Sequence, residues 1–222
     1  MTLANYRQRY AQYRTDPDLQ AAHAAAPWLV VFDDHEIANN WADDIPAKPD
    51  PFFGARRAAA LQAYYENMPL RPTSAPRGGD MQLYRRVHWG ALASFHMLDT
   101  RQYRTDQPCG DEFRATCADR HNPAATLTGA DQERWLLDGF AASQTRWDIL
   151  GQQVFFAGVD LSPGPEHGIN PDGWDGYTAN RDRIVAGLTT SPVRNAVVLT
   201  GDIHSHWAAT VHQSAGGPPI AT

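Results

Sequence analysis

Short runs of β-prone apolar residues alternate along this chain with longer stretches in which apolar residues recur at helical spacing. The short runs predict strands at 28–32, 84–88, 91–98, 147–156 and 196–200, with 207–212 pairing antiparallel to the last of these. The helical spacing predicts helices at 5–13, 19–26, 55–67, 131–142 and 180–188. Strands that alternate with helices are typical of an α/β (α+β layered) domain.

Two long segments, 102–127 and 162–177, have no periodic pattern and are rich in Gly, Pro and Asp. Loops of this length in a compact domain are usually functional or cross-linked. Cys109 and Cys117, the two cysteines of the chain, both lie in the first of them. Their spacing allows a local disulfide, which fits an oxidising compartment, and two unrelated thiols are the alternative.

Composition narrows the class of protein. The 222 residues are 42% hydrophobic and 20% charged, as expected of a globular chain with one sizeable core. A net charge of -6 argues against a nucleic-acid surface, which needs a basic footprint. No apolar run approaches the roughly 18 residues that a membrane span needs, and the first residues lack the pattern of a signal peptide.

The first chemically informative segment is the acidic sequence Asp33-Asp34-His35-Glu36, which directly follows the predicted strand at 28–32. Clustered carboxylates are costly unless they are solvated or neutralised by cations. Asp and His are also common metal ligands. The alternative is an acidic loop or a helix cap, which for this segment taken alone is the commoner origin.

A second segment of the same kind follows the predicted strand at 196–200. Gly201 permits a tight turn there, and Asp202 and His204 can both face one cation if the backbone stays extended. A capped turn with exposed histidines is the alternative. Because α/β proteins place ligand sites at strand ends, the two segments together predict one metal-centred site built from distant parts of the chain.

Other residues with chemical potential stand alone in the sequence. Arg101 follows the predicted strand at 91–98, where its guanidinium can bind phosphate, and a structural pair with Asp99 is the alternative. Trp174 and Tyr177 either line a pocket mouth or pack as an aromatic turn. The single histidines are interpreted as structural or surface residues: His88, His96 and His167.

Taken together, these segments resemble the PhoD-like alkaline phosphatases, a branch of the calcineurin-like metallophosphoesterase group. The matching segments occur in the family's order along almost the whole chain, at 6–14, 15–20, 33–36, 97–104, 151–153, 173–177 and 201–205. The resemblance implies a metallophosphatase-type β-sandwich flanked by helices, with metal ions at the strand ends. It also implies hydrolysis of phosphomonoesters, and often of phosphodiesters, at alkaline pH.

The resemblance carries over residue by residue. Asp34 stands where the wider group has an Asn ligand, and His35 stands where it has a catalytic histidine. Asp202 and His204 match ligand positions of the group's Gly-His-x-His segment. The implied metals are iron and calcium, with zinc or manganese as alternatives, which suits a mixture of carboxylate and imidazole ligands.

A mechanism follows from these positions. Cations held by the ligands polarise the phosphoryl oxygens and activate water. His35 hydrogen-bonds the phosphate or protonates the leaving oxygen, with Glu36 or Asp33 orienting its ring. Arg101 is predicted to contact the phosphate. The expected partners are small phosphate-ester substrates, and the oligomeric state is open.

The chain departs from the family pattern in one respect. Family members carry an upstream Gly-Asp-x-x-Tyr-like segment with a bridging aspartate, and nothing here matches it. We therefore expect residues 1–222 to be an internal part of a single catalytic domain, incomplete in its fold and poorly active alone. The family is usually periplasmic or extracellular. A phosphodiesterase or phospholipase on the same scaffold, and a non-catalytic domain that binds a carbohydrate through Trp174 and Tyr177, are the alternatives.

Overall fold

A computed structural model of the chain describes residues 1–213 and 216–222. The helices are α1 (Leu3–Tyr13), α2 (Pro17–Ala25), α3 (Phe53–Asn67), α4 (Gly129–Ala141) and α5 (Thr178–Thr190). The strands are β1 (Arg85–Trp89), β2 (Ala93–Met97), β3 (Trp147–Gly151), β4 (Ala196–Leu199), β5 (Val211–His212) and β6 (Pro219–Ala221). Among the described residues, no helix is long and apolar enough to cross a bilayer.

All five predicted helices are confirmed, and each begins two residues before its predicted start. In α1 and α2 a side-chain cap holds the first turn, whereas the first turns of α3, α4 and α5 have no side-chain cap hydrogen bond. Helix α2 shows this most clearly: Asp16 accepts hydrogen bonds from the backbone N–H groups of Asp18 and Leu19, and Pro17 occupies the first turn. Apolar periodicity detects only the turns that follow.

The strands form one six-stranded mixed sheet in the order β1-β2-β3-β4-β6-β5. Neighbours from β2 to β6 run parallel, while β1 and β5 lie antiparallel at the two edges. The α/β class is thereby confirmed. The resemblance implies a sandwich of two sheets, but the described residues form this one sheet. Helices α4 and α5 cover one of its faces.

Three strand predictions were wrong in position or pairing. Residues 28–32 belong to no strand in the described chain; the Val30 carbonyl accepts a hydrogen bond from Arg85, and the Trp28 indole N–H donates to the Ala22 carbonyl. The segment predicted at 207–212 pairs with β6, which lies between it and β4. Strand β3 ends at Gly151 because the chain then turns, with the Gln152 side chain bonded to the Val154 carbonyl.

The first hydrophobic core lies between the sheet and the two helices that cover it. Its fully buried members include Leu136 and Phe140 of α4, Leu150 of β3 and Ile184 of α5. Such burial contributes about 1.5–3 kcal/mol for each large apolar side chain. This core supports the end of β4, from which the second acidic segment leaves.

The second core packs α1 and α3 around the chain that carries the first acidic segment. Phe32, which immediately precedes that segment, is fully buried with its ring edge-on to Tyr64 at 5.5 Å between centroids. The Tyr6 hydroxyl donates a 2.7 Å hydrogen bond to the carbonyl of Ile37 just beyond it. The acidic segment is therefore held at both ends by buried contacts.

The other face of the sheet is apolar but belongs to neither core. Strand register places Val87, Phe95, Ile149 and Val197 in one row across it, all only partly buried. Large side chains beside this row are exposed: Trp89 (64%), Trp147 (37%) and Leu199 (55%). An uncovered apolar face of this kind usually marks an interaction surface.

Burial predicts different stability losses on the two faces. We expect Phe140→Ala to lower the free energy of unfolding by about 3–5 kcal/mol, because it leaves a cavity in a closed core. The matched variant Phe95→Ala removes the same ring from the uncovered face, so the loss should be well under half as large. Urea denaturation followed by circular dichroism measures both, and equal losses would contradict the assignment of the cores.

Candidate metal centre

Asp34 is positioned by the backbone of its own turn. Its carboxylate accepts a 2.8 Å hydrogen bond from the His35 N–H through Oδ1 and a 2.9 Å bond from the Asn40 N–H through Oδ2. The Asp34 carbonyl in turn accepts from the N–H groups of Ile37 and Ala38. These bonds hold a nearly buried carboxylate in one orientation without using a charged partner.

Asp202 is presented by a tight turn at the end of β4. The Gly201 N–H donates to the Gln153 carbonyl, and the Ile203 N–H donates back to the Gly201 carbonyl. Asp202 and His204 both have left-handed backbone conformations, with φ of 65° and 57°. The extended backbone assumed from the sequence was therefore wrong, and such conformations of non-glycine residues often occur at functional sites.

Three carboxylates from these two segments meet. Asp33, Asp34 and Asp202 each offer an oxygen atom, and these atoms all lie within 4.8 Å of one another. The predicted approach of Asp34 to Asp202 is present, and Asp33 joins them. His204 is not a member of this cluster; it is exposed and lines the same cavity as Asp34 and Asp202.

The cluster is electrostatically unfavourable by itself. Burial raises the pKa of Asp33 to about 7, although the positive charge of Arg101 lowers it, and the charges of Asp34 and Asp202 raise it further. Burial likewise raises the pKa of Asp202, with repulsion from Asp172 adding to the effect. A bound cation would relieve both effects, so the donor set fits a metal ion.

The donor chemistry also bears on which cation fits. Hard cations such as Ca²⁺ prefer carboxylate oxygens as ligands, and Asp34 and Asp202 both supply such oxygens. The imidazole of His204 on the same cavity adds a nitrogen donor, which suits iron or zinc. The three carboxylates therefore fit the oxygen-donor part of the centre that the sequence predicts, whereas His204 lines the same cavity outside their cluster.

His35 lies on the rim of the cavity, with 77% of its side chain exposed. Its Nε2 atom is 3.1 Å from Asn39 Oδ1 and 3.6 Å from Asp34 Oδ2. The prediction that Glu36 or Asp33 orients the ring was wrong, because Glu36 instead accepts a hydrogen bond from the Asp33 N–H. Asn39, four residues further along the chain, holds the ring.

Arg101 occupies a different place from the one predicted. Its side chain is 0% exposed, its Nε donates to Asp33 Oδ1 at 2.6 Å, and its two terminal nitrogens donate to both oxygens of Asp172 at 2.8 and 2.7 Å. The guanidinium lies behind the carboxylates and does not line the cavity. The predicted phosphate contact does not fit this geometry, since the guanidinium is fully buried and its hydrogen bonds are to oxygens of the protein.

Asp99 is likewise not the ionic partner of Arg101. Its Oδ1 accepts hydrogen bonds from the backbone N–H groups of Arg101 and Gln102, and Oδ2 accepts from the Gln102 side chain. Asp99 is fully buried and shapes the turn after β2. It therefore positions the Arg101 backbone, and other carboxylates balance the Arg101 charge.

Two carboxylates of the cluster, Asp34 and Asp202, open onto a cavity of about 280 Å³. Its polar lining includes Asp34, His35, Asn39, Asn40, Asp172, Asp202 and His204, and its apolar wall includes Phe155, Val159 and Leu161. The cavity joins the two segments that the sequence singled out. It also contains Asp172, which sequence reasoning missed because an aspartate in a Gly/Pro-rich loop carries no pattern that separates a site residue from a turn residue.

Trp174 and Tyr177 are packed residues rather than an exposed aromatic platform. Both are fully buried; the Trp174 indole N–H donates to Gln152 Oε1, and the Tyr177 hydroxyl donates to the Thr105 carbonyl. The carbohydrate-binding alternative was wrong on this point, because buried rings cannot stack on a ligand. His96 is also structural, buried between Arg86 and Asp148.

Cys109 and Cys117 form a disulfide, which closes a short loop beside the cavity. Within this loop the Asp111 carbonyl accepts a hydrogen bond from the Asn40 side chain, and Arg114 forms a two-way backbone bridge with Ile169. Asn40 and Asn170, the residue after Ile169, both line the cavity. The disulfide loop therefore contacts two segments of the cavity lining that are far apart in the sequence.

The raised pKa of Asp33 predicts how stability depends on pH without cations. An unfolded aspartate is already ionised near neutral pH, whereas folded Asp33 keeps its proton up to about pH 7. Its contribution to stability is therefore present at low pH and is lost as the pH rises through about 7. Ca²⁺ should restore stability above that pH, since ionised carboxylates bind it.

Thermal melts in a chelator and in Ca²⁺, from about pH 5 to about pH 9, measure this effect. The same melts are recorded for Asp33→Asn, whose side chain at position 33 cannot titrate. Subtracting the two melting temperatures at each pH removes the contribution of other titrating groups such as His96 and leaves that of Asp33. A native-minus-variant difference that does not change through neutral pH in the chelator would contradict the prediction.

Comparison with known proteins agrees with the geometry. The family profile described as PhoD-like phosphatase matches residues 1–221. Alkaline phosphatase D of Bacillus subtilis (strain 168) is 49% identical over 214 residues, which are 96% of this chain and 37% of that protein. A solved structure described as "Structure of PhoD" has a TM-score of 0.94 and 46% identity, covering 99% of this chain and 43% of that chain.

This chain thus spans less than half of the length of both relatives. Within that span the similarity is continuous and includes both acidic segments and the loops that line the cavity. Because the family profile extends over nearly every residue, the sequence and the fold lead to one conclusion: the chain belongs to the PhoD-like phosphatase family.

Proposed function

We propose that residues 1–222 form part of the single catalytic domain of a metal-dependent phosphoric ester hydrolase. The observation that carries the proposal is the convergence of Asp33, Asp34 and Asp202, within 4.8 Å of one another, in a chain that belongs to the PhoD-like phosphatases. The relative named alkaline phosphatase D supports the same reaction class.

In this proposal the three carboxylates hold the metal ions, and His204 contributes its imidazole from the cavity wall. Iron and calcium fit these donors, with zinc or manganese as alternatives. When bound, the metal ions supply positive charge that polarises the phosphoryl group and makes water a stronger nucleophile. Asp34 is already immobilised by backbone N–H groups, so it loses little freedom on binding a cation.

His35 is proposed to act on the substrate itself. Its ring lies on the cavity rim beside Asp34 and is held at Nε2 by Asn39. From there it can donate a hydrogen bond to a phosphoryl oxygen or a proton to the leaving oxygen. The high exposure of the ring lets it exchange protons with solvent between turnovers.

The proposed substrates are small phosphate esters, both monoesters and diesters. A cavity of about 280 Å³ is at the lower end of the size of small-molecule sites, which supports a compact substrate. The disulfide between Cys109 and Cys117 supports an oxidising compartment. We therefore propose a periplasmic or extracellular location for the full-length protein.

Hydrolysis of p-nitrophenyl phosphate and of bis-p-nitrophenyl phosphate tests this proposal. The assays compare this chain with a longer polypeptide that includes it, each supplied with iron and calcium. We expect hydrolysis by the longer polypeptide and weaker hydrolysis by this chain, which spans 37% of its curated relative. A metal-loaded longer polypeptide that cleaves neither ester would refute the function, and equal rates would refute the view that this chain is incomplete.

A further inference from the structure

We propose that Arg101 is a positioning residue that acts through Asp33: anchored by Asp172, its guanidinium aims the Asp33 carboxylate at the cation centre. This inference rests on the proposed function, because it gives Asp33 the role of a metal ligand. It also replaces the direct phosphate contact predicted from the sequence with an indirect role.

The geometry of Arg101 is that of a fixed bridge between two carboxylates. Its terminal nitrogens form a two-point contact with Asp172 at 2.8 and 2.7 Å, and its Nε reaches Asp33 at 2.6 Å. A guanidinium is planar, so fixing two of its nitrogens on Asp172 also fixes the direction of the third. Asp33 Oδ1 is therefore held at a defined point.

Asp33 needs this support more than its neighbour does. Asp34 is held through both carboxylate oxygens by backbone N–H groups of His35 and Asn40. The Asp33 carboxylate takes its hydrogen bond from Arg101 in the described part of the chain. A carboxylate held at one oxygen keeps the other free to bind a cation in a fixed direction.

The anchor, Asp172, is itself held from three sides. Arg104 approaches its Oδ1 at 3.1 Å, Gln107 donates to the same oxygen at 2.7 Å, and the Asp172 N–H is bonded to Asn170. Asp172 is nearly buried, and the surrounding positive charges hold its pKa well below its usual range. It therefore remains a charged anchor for Arg101 across the working pH range.

A purely structural ion network is the competing explanation, and the chain offers a matched control for it. Arg104 is also fully buried and also contacts Asp172, but its other partner is Tyr177. Within the described residues, Arg104 forms no bond with Asp33. If the network only stabilises the fold, replacing Arg101 or Arg104 should have similar effects. If Arg101 also orients Asp33, only replacing Arg101 should weaken metal binding.

The test measures Ca²⁺ affinity by isothermal titration calorimetry for the native chain, Arg101→Lys and Arg104→Lys, with thermal melts alongside. Lysine keeps the charge but cannot form the two-point contact and reach Asp33 at once. We expect Arg101→Lys to weaken Ca²⁺ binding by about 10- to 100-fold, the range found when partners of metal ligands are removed. Arg104→Lys should lower thermal stability and leave the affinity within about twofold of native, well short of that range.

A double-mutant cycle with Asp33→Asn adds the decisive comparison. If Arg101 acts through Asp33, Arg101→Lys should weaken binding no further once Asp33 is replaced. Should Arg101→Lys fail to fold, Asp172→Glu serves in its place, because it keeps the charge but displaces the anchor; the same loss of affinity is expected.

Each outcome decides the matter. Equal losses in the two lysine variants, or additive effects in the cycle, would overturn the inference and leave Arg101 with a structural role. A native chain that binds Ca²⁺ while Arg101→Lys and Asp172→Glu bind it equally well would overturn the inference alone. A native chain that binds neither Ca²⁺ nor iron would overturn both the inference and the proposed metal centre.

Discussion

Asp202→Asn is expected to lower kcat/KM for p-nitrophenyl phosphate by about 10²–10³-fold in the polypeptide that contains this chain. Loss of a single group that stabilises charge in a transition state has an effect of that size. Asparagine tolerates the left-handed backbone found at this position, where φ is 65°, so the fold should survive. Ca²⁺ affinity, measured by calorimetry, should fall in parallel by at least about 10-fold.

The matched control for this substitution is Asp131→Asn. Asp131 lies on α4 with 87% of its side chain exposed, and its ion pair among the described residues is with Arg134 one turn away. The substitution Asp131→Asn should leave both the kinetics and Ca²⁺ binding unchanged, because exposed ion pairs contribute little to stability. Retention of near-native kcat/KM by Asp202→Asn would show that the acidic cluster is not the reaction centre.

The second large effect concerns stability. Asp172→Asn should lower the free energy of unfolding by about 3–5 kcal/mol, the size expected when one partner of a buried ion pair is removed. Two fully buried guanidinium groups, Arg101 and Arg104, depend on this carboxylate. An amide cannot accept the charge-assisted hydrogen bonds of Arg101 at both of its polar atoms, and it carries no charge to offset Arg104, so positive charge is left buried without compensation.

Asp80→Asn is the comparison for this effect. Asp80 also approaches a buried arginine, Arg57, at 3.4 Å, but its own side chain is 88% exposed and solvent replaces the lost charge. We expect a change of less than about 1 kcal/mol in urea denaturation. A similarly small change for Asp172→Asn would mean that the buried network is not important for stability.

The loss of activity expected for Asp202→Asn and the loss of stability expected for Asp172→Asn arise from one network of charged side chains. The Asp33, Asp34 and Asp202 cluster concentrates negative charge where a cation can bind, and Arg101 offsets part of that charge from inside the protein. The role proposed for Arg101 would couple stability to metal binding, because the same ion network would hold the fold together and orient Asp33. Conditions that remove cations should weaken the fold most at alkaline pH, when Asp33 is ionised.

The helices and the two acidic segments could be predicted from the sequence because their signals are local. Caps such as Asp16 and Pro17 act within a few residues, and apolar periodicity reports which face of a helix is buried. Asp34 and Asp202 each lie two residues after the end of an apolar run, so both acidic segments could be located from the sequence. Carboxylates grouped in this way favour a cation site.

The failures have a different origin. The β-prone composition of residues 28–32 predicted a strand, but a strand exists only through its neighbours, and this segment has none in the described chain. Its apolar residues instead pack on α3 around Phe32. In the same way, β-propensity at 207–212 gave no indication that β6 would take the place beside β4.

From the sequence alone, the α/β class, the five helices and the family likeness could be determined, because each depends on residue type and short spacing. Only the tertiary structure decided that Asp33 completes the acidic cluster, that Asp172 anchors Arg101, and that Trp174 is buried. Those facts are distances between residues far apart in the chain. A local pattern carries no information about such distances until packing brings the side chains together.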